Sequence, residues 1–272
     1  MSRAPIRIAI NGFGRIGRTL LRQLAADPGP FRIVLINDVE PLETCAYLFE
    51  YDSVFGPWGG EVRVEDQALI VDGARLPFTA HADLSKADLG GVDVVLECTG
   101  LAGDRSVAQR GIDAGARGVL VSGPSDEADT TIVMGANEET LGDARIVSNA
   151  SCTTNAVAPL LRLIDSAFGV VGGHMTTVHC YTGSQPTVDK PRGDPARSRA
   201  AALSMVPTTT SAGRLVDRVL PHLAGRVEMR AVRVPTASVS AIDLVVETRR
   251  KVTREAAYTI LREAVNGGPV LG

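Results

Sequence analysis

The run Asn11-Gly12-Phe13-Gly14-Arg15-Ile16-Gly17-Arg18 restricts the fold of this chain more than any other feature. It follows a strand-like alternation over Ile6–Ile10. It precedes Thr19–Ala26, where Leu20, Leu21, Leu24 and Ala25 recur at helical spacing. Asp27-Pro28-Gly29-Pro30 stops that helix, and Phe31–Ile36 reads as a second strand ending at Asn37-Asp38. Strand, glycine turn, helix and strand together have the length of a parallel crossover. In that setting G-x-G-x-x-G is a dinucleotide-binding turn. Gly12 permits the tight turn, Gly14 lets the backbone approach a pyrophosphate, and Gly17 lets helix and strand pack closely. The helix N-terminus offers free N–H groups and a positive dipole end to the phosphates. Asp38 accepts from the adenosine ribose hydroxyls, and its charge opposes a 2′-phosphate, which favours NAD over NADP. The bland alternative is a βαβ unit whose glycines serve only packing.

The pattern continues. Val92–Leu96 is a continuous apolar run suited to a buried parallel strand. A helix-like stretch over Ser106–Ala116 leads to strands at Arg117–Ser122 and Arg145–Ser148. This predicts a mostly parallel sheet with helices on both faces. Beyond it, Thr153–Phe168 reads as a helix, Met175–Thr182 as a strand and Asp189–Ser198 as a long polar loop. Met205–Leu220 reads as helical after Pro207, and Val252–Asn266 as an amphipathic helix. Val227–Val234 and Val239–Glu247 alternate like strands, which suggests an antiparallel sheet. The character changes near Ser148–Cys152, so the expected domains are 1–151 and 152–272.

With 272 residues, 44% hydrophobic and 22% charged, the chain can bury a large core without staples. A net charge of −3 argues against a dedicated binder of nucleic acid or a membrane surface. The four cysteines, Cys45, Cys98, Cys152 and Cys180, show no metal-ligand spacing, so no metal site is expected. They read as reduced thiols of a cytoplasmic protein. No signal-peptide pattern or membrane-length apolar run is visible.

The most informative peptide is Ser148-Asn149-Ala150-Ser151-Cys152-Thr153-Thr154-Asn155. It is polar, yet lies between an apolar strand and an apolar helix, so Ser151 or Cys152 begins the helix. There the dipole and free N–H groups favour the thiolate of Cys152 and prepare it as a nucleophile. Alternatively Ser151 is only a cap and Cys152 a small packing residue. The chain has four histidines, His81, His174, His179 and His222, and His179 lies in the strand-like Thr176–Thr182. Alternation turns Cys180 to the opposite face from His179. Cys45 and Cys98 lie in apolar surroundings and read as packing residues.

These residues resemble the phosphorylating glyceraldehyde-3-phosphate dehydrogenase family. Asn11–Arg18 looks like its opening motif, Ser148–Asn155 like its nucleophile peptide, and Thr176-Thr177-Val178-His179 like its base strand. Arg233-Val234-Pro235-Thr236, Val239-Ser240 and Asp243-Leu244 look like its later strands. The resemblance implies a Rossmann NAD-binding domain followed by an α+β catalytic domain with a mixed, largely antiparallel sheet. It also implies NAD as cofactor and a homotetramer. It assigns Cys152 as nucleophile and His179 as general base. The thiolate attacks the aldehyde, hydride passes to the nicotinamide, and inorganic phosphate cleaves the thioester. The resemblance places Ser151, Thr153, Thr182, Thr210, Ser211 and Arg233 around the two phosphates. It places Arg15, Ile16, Thr99, Gly100, Ser122 and Pro191 with Gly12, Gly14, Gly17 and Asp38 around the cofactor.

The sequence also departs from that family. Ala82 stands where an arginine near the adenosine is usual, Phe55 replaces a histidine, and Ala156 replaces a second cysteine. Ala196-Arg197-Ser198-Arg199 stands for Arg-Arg-Ala-Arg, so a phosphate-binding arginine is missing unless Arg197 or Arg199 substitutes. Ser211 replaces a glycine whose N–H serves the attacking phosphate. Family chains continue beyond the segment resembling Gly267–Gly272, so this one reads as short at its C-terminus. Two readings stand beside the leading one. The altered arginines favour an erythrose-4-phosphate or related aldehyde-phosphate dehydrogenase. The short end favours an inactive NAD-binding fragment.

Overall fold

β1 (Ile6–Asn11), α1 (Arg15–Ala26) and β2 (Phe31–Asn37) form the expected crossover, with β1 and β2 paired in parallel. The computed structural model describes residues 4–268, 270 and 271, which fall into two units. One runs to Thr131 and takes in Leu141–Ala150; the other comprises Ile132–Thr140 and the chain from Ser151 onward. Among the described residues no helix is long and apolar enough to cross a membrane.

The first unit continues through α2 (Leu42–Glu50), the short pair β3 (Tyr51–Asp52) and β4 (Gly56–Pro57), then β5 (Val62–Glu65), β6 (Ala68–Val71) and β7 (Ala74–Thr79). Next come β8 (Val94–Glu97), α3 (Arg105–Asp113), β9 (Gly118–Val121), β10 (Thr130–Thr131) and β11 (Ile146–Ser148). One sheet runs in the order β10-β11-β9-β8-β1-β2-β7-β6-β5. It is parallel from β10 to β7 and antiparallel from there to β5. Its two faces are both covered. Ile8 and Ile10 join Phe13, Leu21 and Phe49 on one side, while Ala9 joins Val95, Val119 and Ile146 on the other. This is the period of two that a strand imposes.

The antiparallel edge lies outside the sequence-based expectation, although a signal exists. Both loop residues between β5 and β6 have positive φ (Asp66 44°, Gln67 55°), as do Asp72 (48°) and Gly73 (79°) between β6 and β7. Two-residue loops with positive φ at both positions match the twist of a hairpin, and Asp-Gly is among their preferred sequences.

In the second unit, α4 (Cys152–Phe168) leads into β12 (Val170–Cys180). β13 (Val206–Thr208), α5 (Ala212–Val219), β14 (Val227–Val234), β15 (Ala241–Thr248) and α6 (Arg254–Gly267) follow. The sheet order is β13-β14-β12-β15. Two expectations need correction. The helix expected over Met205–Leu220 begins only at Ala212, because Val206–Thr208 is a strand antiparallel to β14. Pro207 forces the residue before it toward extended backbone, and an edge strand tolerates its missing N–H. The alternating strands β14 and β15 do not pair with each other. The long strand β12 lies between them, parallel to β14 and antiparallel to β15. The sheet is mixed and largely antiparallel, as the family resemblance implied.

Candidate active site

Ser151 is the N-cap of α4: its Oγ accepts from Thr154 N at 3.1 Å, and Cys152 is the first helical residue. The preceding Ala150 is held at φ +55°, a left-handed conformation unusual for a residue with a Cβ. Cys152 is exposed, whereas Thr153 and Thr154 turn into the core. Val157, Ala158 and Leu161 bury the same helix and fix its start. His179 comes from the far end of β12 and is 6% exposed. Its Nε2 lies 3.2 Å from Cys152 Sγ.

That contact sets the electrostatics. The His179 hydrogen bond lowers the pKa of the Cys152 thiol against the opposing effect of desolvation, and the backbone N–H of Thr153 lowers it further. The same bond raises the pKa of His179, burial opposes it, and the Cys180 carbonyl adds to the rise. Both shifts favour a thiolate beside an imidazolium. The thiols of Cys45 and Cys98 behave oppositely, since desolvation pushes each up to about 11.

His179 Nδ1 lies 2.6 Å from the carbonyl of Cys180, which assigns it as a donor. Arg233 Nη1 donates to the same carbonyl at 2.8 Å and stands 3.0 Å from Nδ1. Arg233 and His179 are register partners on β14 and β12. Desolvation and then the nearby Arg197 lower the pKa of the Arg233 guanidinium. Arg197 Nε donates to Thr208 Oγ1 at 2.6 Å, and its Nη2 donates to Thr209 O at 2.9 Å. Arg197 also lies 3.6 Å from the Asp194 carboxyl group, and its charge still bears on Arg233, a repulsion that a phosphate would relieve.

The remaining sequence-derived residues divide. Thr182 Oγ1 pairs with Ser184 Oγ at 3.0 Å, Thr210 Oγ1 accepts from Ala212 N at 3.1 Å, and Ser211 is the N-cap residue of α5. Arg199 does not join Arg233: it pairs with Asp189 at 2.8 Å. Of the two arginines left open by the sequence, Arg197 is the one held beside Arg233, because strand β13 brings Thr208 alongside β14. Thr208 and Thr209 were missed, since the expected helix covered them. Pro191 is an exposed loop residue.

In the first unit, α1 starts at Gly14 with no side-chain cap and no acidic residue in its first turn. Gly12 has φ +91°, and a Cβ there would stand 2.6 Å from Thr99 N. Gly14 has nothing within 4 Å of where a Cβ would be. It opens on a cleft of about 290 Å³ bordered by Asp38, Ala82, Thr99 and Leu101. Asp38 Oδ2 accepts from Phe13 N at 2.5 Å and Oδ1 from Glu40 N at 2.9 Å, so the glycine turn itself orients the carboxyl group. Thr99, Gly100, Arg15 and Ile16 are exposed, while Ser122 is half-buried beside the Cys98 thiol. Ala82 supplies no cation, but Arg110 of α3 borders the cleft and reaches the Ala82 carbonyl at 3.4 Å. An uncapped helix start, an open glycine and an oriented acid fit a dinucleotide.

Comparison with known proteins agrees. The model of the glyceraldehyde 3-phosphate dehydrogenase NAD binding domain matches residues 6–105, and that of the C-terminal domain matches 151–270. The chain is 46% identical to a glyceraldehyde-3-phosphate dehydrogenase of Xanthobacter flavus over 255 residues, covering 92% of this chain and 76% of that protein. It is 46% identical to one of Pseudomonas aeruginosa, covering 98% and 81%. It is 42% identical to glyceraldehyde-3-phosphate dehydrogenase 1 of Bacillus subtilis, covering 96% and 79%. The chain thus belongs to the glyceraldehyde 3-phosphate dehydrogenase family and is an NAD-dependent oxidoreductase of that family.

Proposed function

We propose that the chain oxidises glyceraldehyde 3-phosphate and phosphorylates the product to 1,3-bisphosphoglycerate, with Cys152 as nucleophile and His179 as general base. One observation carries this reading: the 3.2 Å contact between Cys152 Sγ, at the start of α4, and His179 Nε2. The thiolate attacks the aldehyde carbon while the His179 imidazolium gives its proton to the oxygen, which forms a hemithioacetal and leaves His179 neutral. His179 takes the hydroxyl proton as the carbon is oxidised, its Nδ1–H held by the Cys180 carbonyl. Bound NAD supplies the acceptor for the two electrons. The thioester on Cys152 keeps the energy of oxidation until inorganic phosphate attacks and leaves as the acyl phosphate. The Cys152 N–H and the imidazole stabilise the developing oxyanion.

Arg233, Arg197, Thr182, Thr210, Ser151, Thr153 and Ser211 bind the two phosphates, with Arg197 rather than Arg199 supplying the second guanidinium. Gly12, Gly14, Arg15, Ile16, Gly17, Asp38, Thr99, Gly100 and Ser122 hold the cofactor, and Pro191 contributes from a neighbouring subunit. The domains divide at 151/152, the assembly is a homotetramer, and the protein works in the cytoplasm. Purified protein should form NADH from the aldehyde only when NAD and phosphate are both present. Its absence, together with slow alkylation of Cys152, would defeat the reading.

A further inference from the structure

Beneath the glycine turn, four polar side chains cross the C-terminal ends of four adjacent strands, β8, β1, β2 and β7. Glu97, Asn11 and Asn37 end their strands and are 1%, 6% and 3% exposed. Asn11 Nδ2 donates to Glu97 Oε2 at 2.5 Å. Asn37 Nδ2 donates to Asn11 Oδ1 at 2.8 Å. Asn37 Oδ1 accepts from Thr79 Oγ1 and from His81 N, each at 2.8 Å, and its Nδ2 also donates to His81 O at 2.9 Å. At the other end Glu97 Oε1 accepts from Thr99 N at 2.9 Å and from Thr99 Oγ1.

The direction of this chain is determined at both ends by backbone groups. His81 presents a donor and an acceptor, so Asn37 has one workable orientation. Asn37 Nδ2 then faces Asn11, which must accept with Oδ1 and donate with Nδ2. Glu97 therefore meets a donor on each side: Asn11 Nδ2 and the N–H of Thr99. Only a group with two acceptor atoms satisfies both. An amide at 97 would set donor against donor, whichever way it turned, and an unsatisfied buried group is costly.

The two residues that Glu97 joins, Asn11 and Thr99, both border the cleft, as does Gly12 after Asn11. Gly12 also packs against the backbone of Thr99 so closely that no Cβ fits.

We infer that Glu97 is a positioning residue for the cofactor: its carboxyl group locks the turns at Gly12 and Thr99 to each other and so shapes the face presented to the dinucleotide. This rests on the reading that the cleft above these strand ends takes NAD.

The test is equilibrium titration of the purified, full chain with NAD by calorimetry, with iodoacetamide alkylation of Cys152 and thermal unfolding as companions. Glu97→Gln is expected to weaken NAD binding about tenfold, with the alkylation rate unchanged. The double variant Asn11→Asp with Glu97→Gln reverses the polarity of one link. The carboxylate introduced at position 11 then accepts from the Asn37 amide and from the amide introduced at position 97. The oxygen of that introduced amide accepts from the Thr99 N–H. This double variant should recover most of the lost affinity. Unchanged NAD affinity in Glu97→Gln, or no recovery in the double variant, overturns the inference. So does a matching collapse of Cys152 alkylation, which would mark general unfolding. Failure of the unmodified chain to bind NAD would instead remove the cofactor site on which the inference rests.

Discussion

Cys152 Sγ lies 3.2 Å from His179 Nε2, joining the first turn of α4 to the end of β12. The bond holds the thiol pKa below the ordinary range and the imidazole pKa above its own. Between those two values the pair exists as thiolate and imidazolium. Alkylation by iodoacetamide should therefore stay fast below the free-thiol pKa of about 8.5 and decline only as pH falls through the lowered value. His179→Asn should move that profile upward toward the free thiol and cost about 10²–10⁴ in kcat. Superimposable pH profiles for the two proteins would refute the coupling.

Burial sets Cys45 and Cys98 apart from Cys152. With pKa values of about 11, both should remain unlabelled at neutral pH while Cys152 reacts. Peptide mass spectrometry after a timed pulse of alkylating agent reads this directly. Equal labelling of Cys98 and Cys152 would contradict it.

Arg197 and Arg199 are close in sequence yet differ in surroundings. Arg197 is bonded to Thr208 and Thr209, has Asp194 at 3.6 Å and raises the charge around Arg233, whereas Arg199 forms a closer pair with Asp189 at 2.8 Å. Arg197→Ala should raise KM for the phosphorylated aldehyde about tenfold or more, as loss of a charge-assisted bond does. Arg199→Ala should change it less than about twofold, because an exposed ion pair contributes little. Steady-state kinetics on the two variants decides, and the reverse ranking would move the phosphate site.

Glycine to alanine inside a helix ordinarily stabilises by about 0.5–1 kcal/mol. At Gly17 the added carbon would overlap the carbonyl oxygen of Gly12, so helix and turn must separate. Gly17→Ala should instead destabilise by about 1–3 kcal/mol and weaken NAD binding. Thermal unfolding and an NAD titration report the two effects. A more stable variant with intact binding would show the contact to be unimportant.

Asp129 ties the backbone of Ile146 and Arg145 to the Arg105 guanidinium. The Ile146 N–H is the main cause of its lowered pKa, and Arg105 adds to it. A lowered folded value contributes stability above the unfolded pKa of about 3.9, lost as pH falls through the folded value. Asp129→Ala should therefore cost about 1 kcal/mol at neutral pH, with solvent screening holding the figure down and the gap to the parent protein closing in acid. Urea unfolding across that range measures it; a gap constant from neutral pH to strong acid would exclude the carboxylate.

Much was legible from local order. The glycine turn carried its flanking strand and helix because each rule concerns neighbours along the chain. The polar break at Ser151-Cys152 before an apolar helix marked where α4 begins. Pro207 misled: a helical period over Met205–Leu220 outweighed a proline whose tolerance depends on lying at a sheet edge. β14 and β15 looked like partners because both alternate, but alternation says which face is buried and not which strand lies alongside.

The sequence by itself determined the crossover, the dinucleotide turn and the placing of Cys152 at a helix start, since these follow from residue type and spacing. Only the tertiary structure decided that His179 meets Cys152 and that Arg197 rather than Arg199 stands beside Arg233. It alone decided that Glu97, Asn11 and Asn37 form one directed chain. These contacts join residues distant in sequence through strand order and register. Register is set by the packing of the whole sheet, which no local window contains.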